Sequence, residues 1–209
     1  MKALNNAKQI KALFIDLMLE NQEDELVIGN EIMFADKKAI ADLVFLENGL
    51  INAYEVKSHS DDLRKLEYQL NEYNKVFDHV SVILTENHLN KAKEIIPRKN
   101  GIIVLNANYE FKVVRKSVKN NRLNKEELLS TMTIKFIRSY FNLPSSNLNA
   151  FEIRKSLSNK SLTELKAALH QFLFDRISSK FEIFKDERGV KTHFEDITLL
   201  SMNGKKVEL

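Results

Sequence analysis

The chain of 209 residues contains no cysteine. That one absence excludes a disulfide framework, a thiolate metal site and a cysteine nucleophile, and it fits a cytoplasmic protein. Long apolar runs are missing as well. The start, MKALNNAKQIKALFIDLMLENQEDE, has only short ones broken by charge, so neither a signal peptide nor a membrane span is expected. There is no glycine-rich phosphate loop, which leaves nucleotide hydrolysis of the P-loop kind unsupported. His59, His79, His88, His170 and His193 show neither His-x-His nor His-x-x-x-His spacing, so a histidine metal site is not expected. Internal repeats and low-complexity tracts are also lacking.

What remains is an ordinary globular composition, 44% hydrophobic and 29% charged, in a chain long enough for one substantial core or two small ones. The net charge of +3 conceals an asymmetry. Residues 1–110 hold 13 basic and 18 acidic side chains, whereas residues 111–209 hold 19 and 11. A basic second half is suited to attracting a polyanion, or is simply a solvated basic surface.

Residues 5–20 carry Ile10, Leu13, Phe14, Leu17 and Met18 at helical spacing, predicting a first helix that ends near Asn21. Residues 25–34 read as a strand broken at Gly29-Asn30. Two strands joined by Glu47-Asn48-Gly49 follow, since Asn-Gly favours a tight hairpin. Ser60 then looks like the cap of a helix over 61–77, with Leu63, Leu66, Leu70, Tyr73 and Phe77 on one face. Residues 79–85 predict a strand, 87–96 a helix stopped by Pro97, and 101–106 and 109–114 two more strands. This order predicts an α/β fold with a mixed central sheet flanked by helices over residues 1–114.

Residues 115–124 are polar and basic, and read as a linker. Residues 125–209 form the second, mainly helical region. One helix is expected from Asn124 to Asn142, another at 150–157, and a third from Ser161, where Ser161 and Glu164 match a capping box. Strands at 180–185 and 191–199 around a turn at 186–189 would complete a winged helix-turn-helix outline.

Alternation along the hairpin puts Ile40, Asp42, Val44 and Leu46 on one side of its first strand. Ile51, Ala53, Glu55 and Lys57 share a side of the second. Three charges thus meet on an otherwise apolar surface, where charge is costly unless it is paired or binds a metal. The Glu-x-Lys tripeptide also occurs at Glu110–Lys112 and Glu164–Lys166, but only Glu55–Lys57 follows a strand bearing an aspartate and precedes a helix.

Asp42, twelve intervening residues and Glu55-Val56-Lys57 resemble the PD-(D/E)XK nuclease superfamily, with Ala41 in place of its proline. Gln69 and Tyr73, four apart on one helical face, are similar to the Q-x-x-x-Y element of its RecB-like branch. The combination ADLVFL, YEVKS and QLNEYNKVFD also resembles small, mostly uncharacterised bacterial and phage proteins assigned to that superfamily. The resemblance covers about residues 5–106. It implies a restriction-endonuclease-like core and a Mg²⁺ or Mn²⁺ ion held by Asp42, Glu55 and the Val56 carbonyl, with Lys57 acting on the attacking water or the transition state. Glu31, or else Glu20, would supply a further acid. Gln69 and Tyr73 would bond near the metal and the substrate phosphate, although core packing accounts for Tyr73 equally well.

The expected activity is metal-dependent hydrolysis of DNA. Arg115, Lys116, Lys119, Arg122, Lys160, Lys166 and Arg188 are the candidate phosphate contacts. The alternatives are an inactive nuclease fold that binds nucleic acid or protein, and a helical second half that caps the core or forms a homodimer.

Overall fold

The computed structural model describes residues 6–21, 25–36, 38–144 and 147–201. Helix α1 (Ala7–Glu20) starts where the Asn6 side chain accepts the Lys8 N–H. Three strands follow, β1 (Leu26–Phe34), β2 (Ala39–Glu47) and β3 (Leu50–Lys57), then α2 (Leu66–Tyr73). Next come β4 (His79–Thr85), α3 (Leu89–Ile95), β5 (Gly101–Leu105) and β6 (Phe111–Arg115). The six strands form one mixed sheet in chain order. β2 runs antiparallel to both β1 and β3, β3, β4 and β5 are parallel, and β6 closes the edge antiparallel to β5.

The β2–β3 hairpin turns on Asn48 and Gly49, both at positive φ (50° and 71°), as an Asn-Gly turn of the primed type requires. Its register sets Leu46 opposite Ile51 and Val44 opposite Ala53. Helix α1 packs on the other face, where the Phe14 ring lies 5.8 Å from Phe45 and 5.0 Å from Tyr54. Helix α2 covers the first face. Its buried Leu66, Leu70 and Tyr73 belong to the expected apolar stripe, and Tyr73 and Phe77 pack edge-on against Phe34 at 5.5 and 5.0 Å.

The helical region consists of α4 (Lys125–Thr131), α5 (Ile134–Tyr140), α6 (Ala150–Ser156) and α7 (Leu162–Glu187). The capping box at Ser161 and Glu164 is present at the start of α7. Helix α7 lies on β1, so close that a Cβ on Gly29 would stand 3.2 Å from Ile177 Cγ2. One continuous apolar core therefore includes both the sheet and α7. The segment expected as a linker is strapped to the sheet. Val118, Asn120 and Asn124 donate backbone N–H groups to the carbonyls of Lys99, Asp78 and Lys75 at 2.7–2.8 Å, and Asn120 and Leu123 are buried.

Several expected elements differ. Among the described residues there is no winged-helix hairpin: residues 180–185 belong to α7, because Ile177, Phe181 and Phe184 continue its buried stripe at spacings of four and three while Ile183 is 49% exposed. Residues 191–199 are turns and a 3₁₀ segment (Asp196–Leu200), since the Asp16 carboxylate of α1 captures the Thr192 N–H and hydroxyl. The helix expected over 125–142 divides at Met132-Thr133. There Thr133 caps α5, and the Thr131 hydroxyl accepts the Ala35 N–H at 3.0 Å. Helix α2 is shorter than 61–77, because Asp61 folds back onto the Ser58 N–H and hydroxyl and Asp62 onto Arg64. Strand β1 passes through Gly29-Asn30 unbroken; its irregular residue is Glu31, at φ 53°.

Candidate active site

The β2–β3 ladder ends at Leu43 and Tyr54. Beyond that pair β2 continues against β1 as far as Ala39, and β3 continues against β4 as far as Lys57. The two strands thus part at Asp42 and Glu55. Backbone groups at such a split need other partners, and side chains supply them. Asp42 Oδ2 accepts the Val56 N–H at 2.9 Å. The Tyr73 hydroxyl accepts the Asp42 N–H at 3.1 Å and donates to Glu55 Oε2 at 2.5 Å, with the Ile40 carbonyl a second acceptor at 3.0 Å.

Lys57 Nζ lies 2.6 Å from Glu55 Oε1 and donates to Gln69 Oε1 at 3.0 Å. The five residues expected to carry the chemistry, Asp42, Glu55, Lys57, Gln69 and Tyr73, therefore form one connected cluster. Glu55 is 2% exposed. Burial pushes its carboxyl above the ordinary range and the Asp42 charge pushes the same way, against the pull of Lys57 and of the Tyr73 hydroxyl. Tyr73 titrates well above a free tyrosine, through burial first and then the charge of Glu55.

Two members were not anticipated. Lys11, on the buried side of α1, has its ammonium 3.1 Å from Asp42 Oδ1 and donates to Asn30 Oδ1 at 2.9 Å. Asn30 in turn donates to the Ser201 hydroxyl at 2.6 Å. The signal for Lys11 was its place one residue after Ile10 and three before Phe14, inside a helix face that is otherwise apolar. Glu31, the expected further acid, is exposed, and its left-handed backbone leaves Asn30 as the β1 residue that meets the cluster. Glu20 is exposed at the end of α1. Val56 joins the cluster through its N–H.

The candidate phosphate contacts are dispersed. Arg115 donates to the carbonyls of Asn100, Ile96 and Pro97 at 2.8–3.1 Å. Lys166 pairs with the buried Asp78, Arg188 with Asp16 at 3.4 Å, and Lys160 with Glu164 at 2.8 Å. Lys116, Lys119 and Arg122 are exposed along the strap after β6.

The donor set suits a small hard cation only in part. Among the described residues no three His, Asp or Glu side chains stand together as a metal cage. Mg²⁺, however, is commonly held by one or two carboxylates plus water and substrate phosphate. Asp42 and Glu55 provide such a pair, Asp42 is 29% exposed at its side chain, and each carboxylate oxygen keeps a lone pair beyond its one protein partner. Burial is the larger cause of the raised Glu55 carboxyl, and the Asp42 charge, the second, is one that a further cation would offset.

Compared with known proteins, residues 1–201 match the family model for bacteriophage P4 protein cII. The chain belongs to that family. Protein cII of Enterobacteria phage P4 is 23% identical over 215 residues, spanning 96% of this chain and 80% of the phage protein. A protein of unknown function from Silicibacter pomeroyi shares 15% identity at a TM-score of 0.47, covering 88% of this chain and 97% of that one. Among the described residues no helix is long and apolar enough to cross a membrane.

Proposed function

We propose that this P4 cII family member is a metal-dependent nuclease that hydrolyses phosphodiester bonds in DNA at the split between β2 and β3. One observation carries the reading: Asp42, Glu55, Lys57, Gln69 and Tyr73 form a single hydrogen-bonded cluster where two strands diverge. Asp42 and Glu55 are the residues that would hold Mg²⁺ or Mn²⁺. When bound, such an ion supplies a water of lowered pKa and neutralises charge that grows on the phosphate.

The protein's own groups have distinct tasks. Tyr73 fixes Glu55 and the Asp42 backbone together, so the two carboxylates need no reorganisation. Gln69 accepts from Lys57 and holds the ammonium beside Glu55. Two of its three N–H groups are then committed, and the third is left to meet a phosphate oxygen. Exposed Lys116, Lys119 and Arg122 supply non-specific attraction for the polyanion.

A second reading is favoured by Lys11. With two ammonium groups on two carboxylates the cluster is already neutral, as a non-catalytic fold that binds nucleic acid or protein would need. Incubating plasmid and single-stranded DNA with wild type or Lys57→Ala, with and without Mg²⁺ or Mn²⁺, separates the two. Metal-dependent cleavage lost in Lys57→Ala while DNA binding persists supports the nuclease. Binding without cleavage by the wild type selects the second reading.

A further inference from the structure

The geometry around Lys11 points to a resident counter-ion. We propose that the Lys11 ammonium occupies the cation position on Asp42 and retreats onto Asn30 when a divalent ion arrives, so that Lys11 sets the site's affinity for metal. The inference rests on the reading of Asp42 and Glu55 as metal ligands.

Five features support it. Lys11 is 4% exposed, so its charge has no solvent to fall back on and must keep a protein partner. It has two: Asp42 Oδ1 at 3.1 Å and Asn30 Oδ1 at 2.9 Å. The amide is locked with its oxygen towards the lysine, because its nitrogen donates to the Ser201 hydroxyl at 2.6 Å and both residues are buried. Ser201 is itself anchored, its carbonyl accepting from Lys180 of α7 at 2.5 Å. The Asp42 side chain, by contrast, is 29% exposed. A cation that binds Oδ1 meets an oxygen already in contact with positive charge, and the lysine has a second acceptor in Asn30.

The consequence is a site in which two cations compete for one carboxylate. A like charge a few ångströms away disfavours a charged state by about ten- to a thousandfold. Removing the ammonium should therefore tighten metal binding, although it takes away part of the cluster.

The test titrates Mn²⁺ alone into full-length wild type, Lys11→Met and Lys11→Gln, reading free Mn²⁺ by electron paramagnetic resonance, with Asp42→Asn as the control. The expected result is Mn²⁺ binding about tenfold or more tighter in the lysine variants than in wild type, and lost in Asp42→Asn. Lys11→Gln retains an N–H donor for Asn30 and serves if Lys11→Met does not fold. In the wild type, the Lys11 Nζ resonance should also move on addition of Mg²⁺, and an unmoved resonance overturns the proposal with no variant at all. Asp42-dependent binding that is equal or weaker in the lysine variants overturns the role of Lys11 and leaves the metal reading intact. Absence of binding in all of the proteins removes both.

Discussion

Asp42 accepts the Val56 N–H at 2.9 Å across the gap in which β2 and β3 part. A side chain thus takes the place of a ladder bond, and its other oxygen is left to face Lys11. The arrangement makes the site a structural element of the sheet as well as a candidate for chemistry, so substitutions there act on stability as well as on activity.

Asp42→Ala should lower stability by about 2–4 kcal/mol, because it orphans the Val56 N–H and strips one partner from an almost buried ammonium. Asp42→Asn retains an acceptor for Val56 and should lose less. Urea denaturation of the two variants measures the difference. Equal losses would show that the hydrogen bond across the gap contributes nothing.

Tyr73→Phe keeps the ring against Phe34 and Phe77 but removes the hydroxyl that joins Glu55 to the Asp42 backbone. A buried acceptor and donor left unpaired cost about 1–3 kcal/mol. Under the proposed function cleavage falls further than stability accounts for, since Glu55 is no longer held. A variant as active and as stable as wild type would reduce Tyr73 to core packing.

The strands, the mixed sheet and the meeting of Asp42, Glu55 and Lys57 were legible because their signals are local, whereas Gln69 and Tyr73 came from the family resemblance. Asn48-Gly49 fixes the hairpin, and alternation along two strands then puts Asp42 and Glu55 on one face. Lys11 and Asn30 were not legible, since each meets the site only through tertiary packing of α1 and β1. The expected wing failed for a related reason. Lys180–Ile183 alternates polar and apolar residues over four positions, which suits a strand, and only the preceding twenty residues show that the stripe has helical period. Glu31 was favoured for its place inside an apolar strand, but its backbone is left-handed and its side chain is exposed.

The basic residues should separate by experiment into two groups. Replacing Lys116, Lys119 and Arg122 together by alanine should weaken DNA binding and reduce the slope of log K against log salt by up to about 3, at roughly one unit per phosphate contact. Arg115→Ala, which deprives three carbonyls of their donor, should act on stability instead. Filter binding across a salt series, alongside melting curves, reads both. An unchanged slope in the triple variant would remove the strap from the nucleic-acid interface.

Ile177→Ala tests whether α7 and the sheet unfold together. The side chain is fully buried and stands where α7 meets β1 at Gly29. The loss should be about 2–5 kcal/mol, appearing as one shifted transition in both circular dichroism and tyrosine fluorescence. Two separate transitions would show that the helical region is an independent unit.

The pH dependence follows from Glu55, whose carboxyl is raised above its ordinary 4.5 by burial and then by Asp42. In the unfolded chain this group releases its proton near that ordinary value, while in the fold it holds the proton to higher pH. Stability therefore falls as pH rises through the window between the two, and the full cost is present only above it. Glu55→Gln has no proton to lose, so its urea midpoint should stay flatter than that of wild type from acid to neutral pH. Under the proposed function activity runs the other way, because a metal ligand must be ionised, and cleavage should rise through the same window. A wild type that gains stability there relative to Glu55→Gln would mean that Lys57 and Tyr73 outweigh burial, and that the fold lowers the carboxyl instead of raising it.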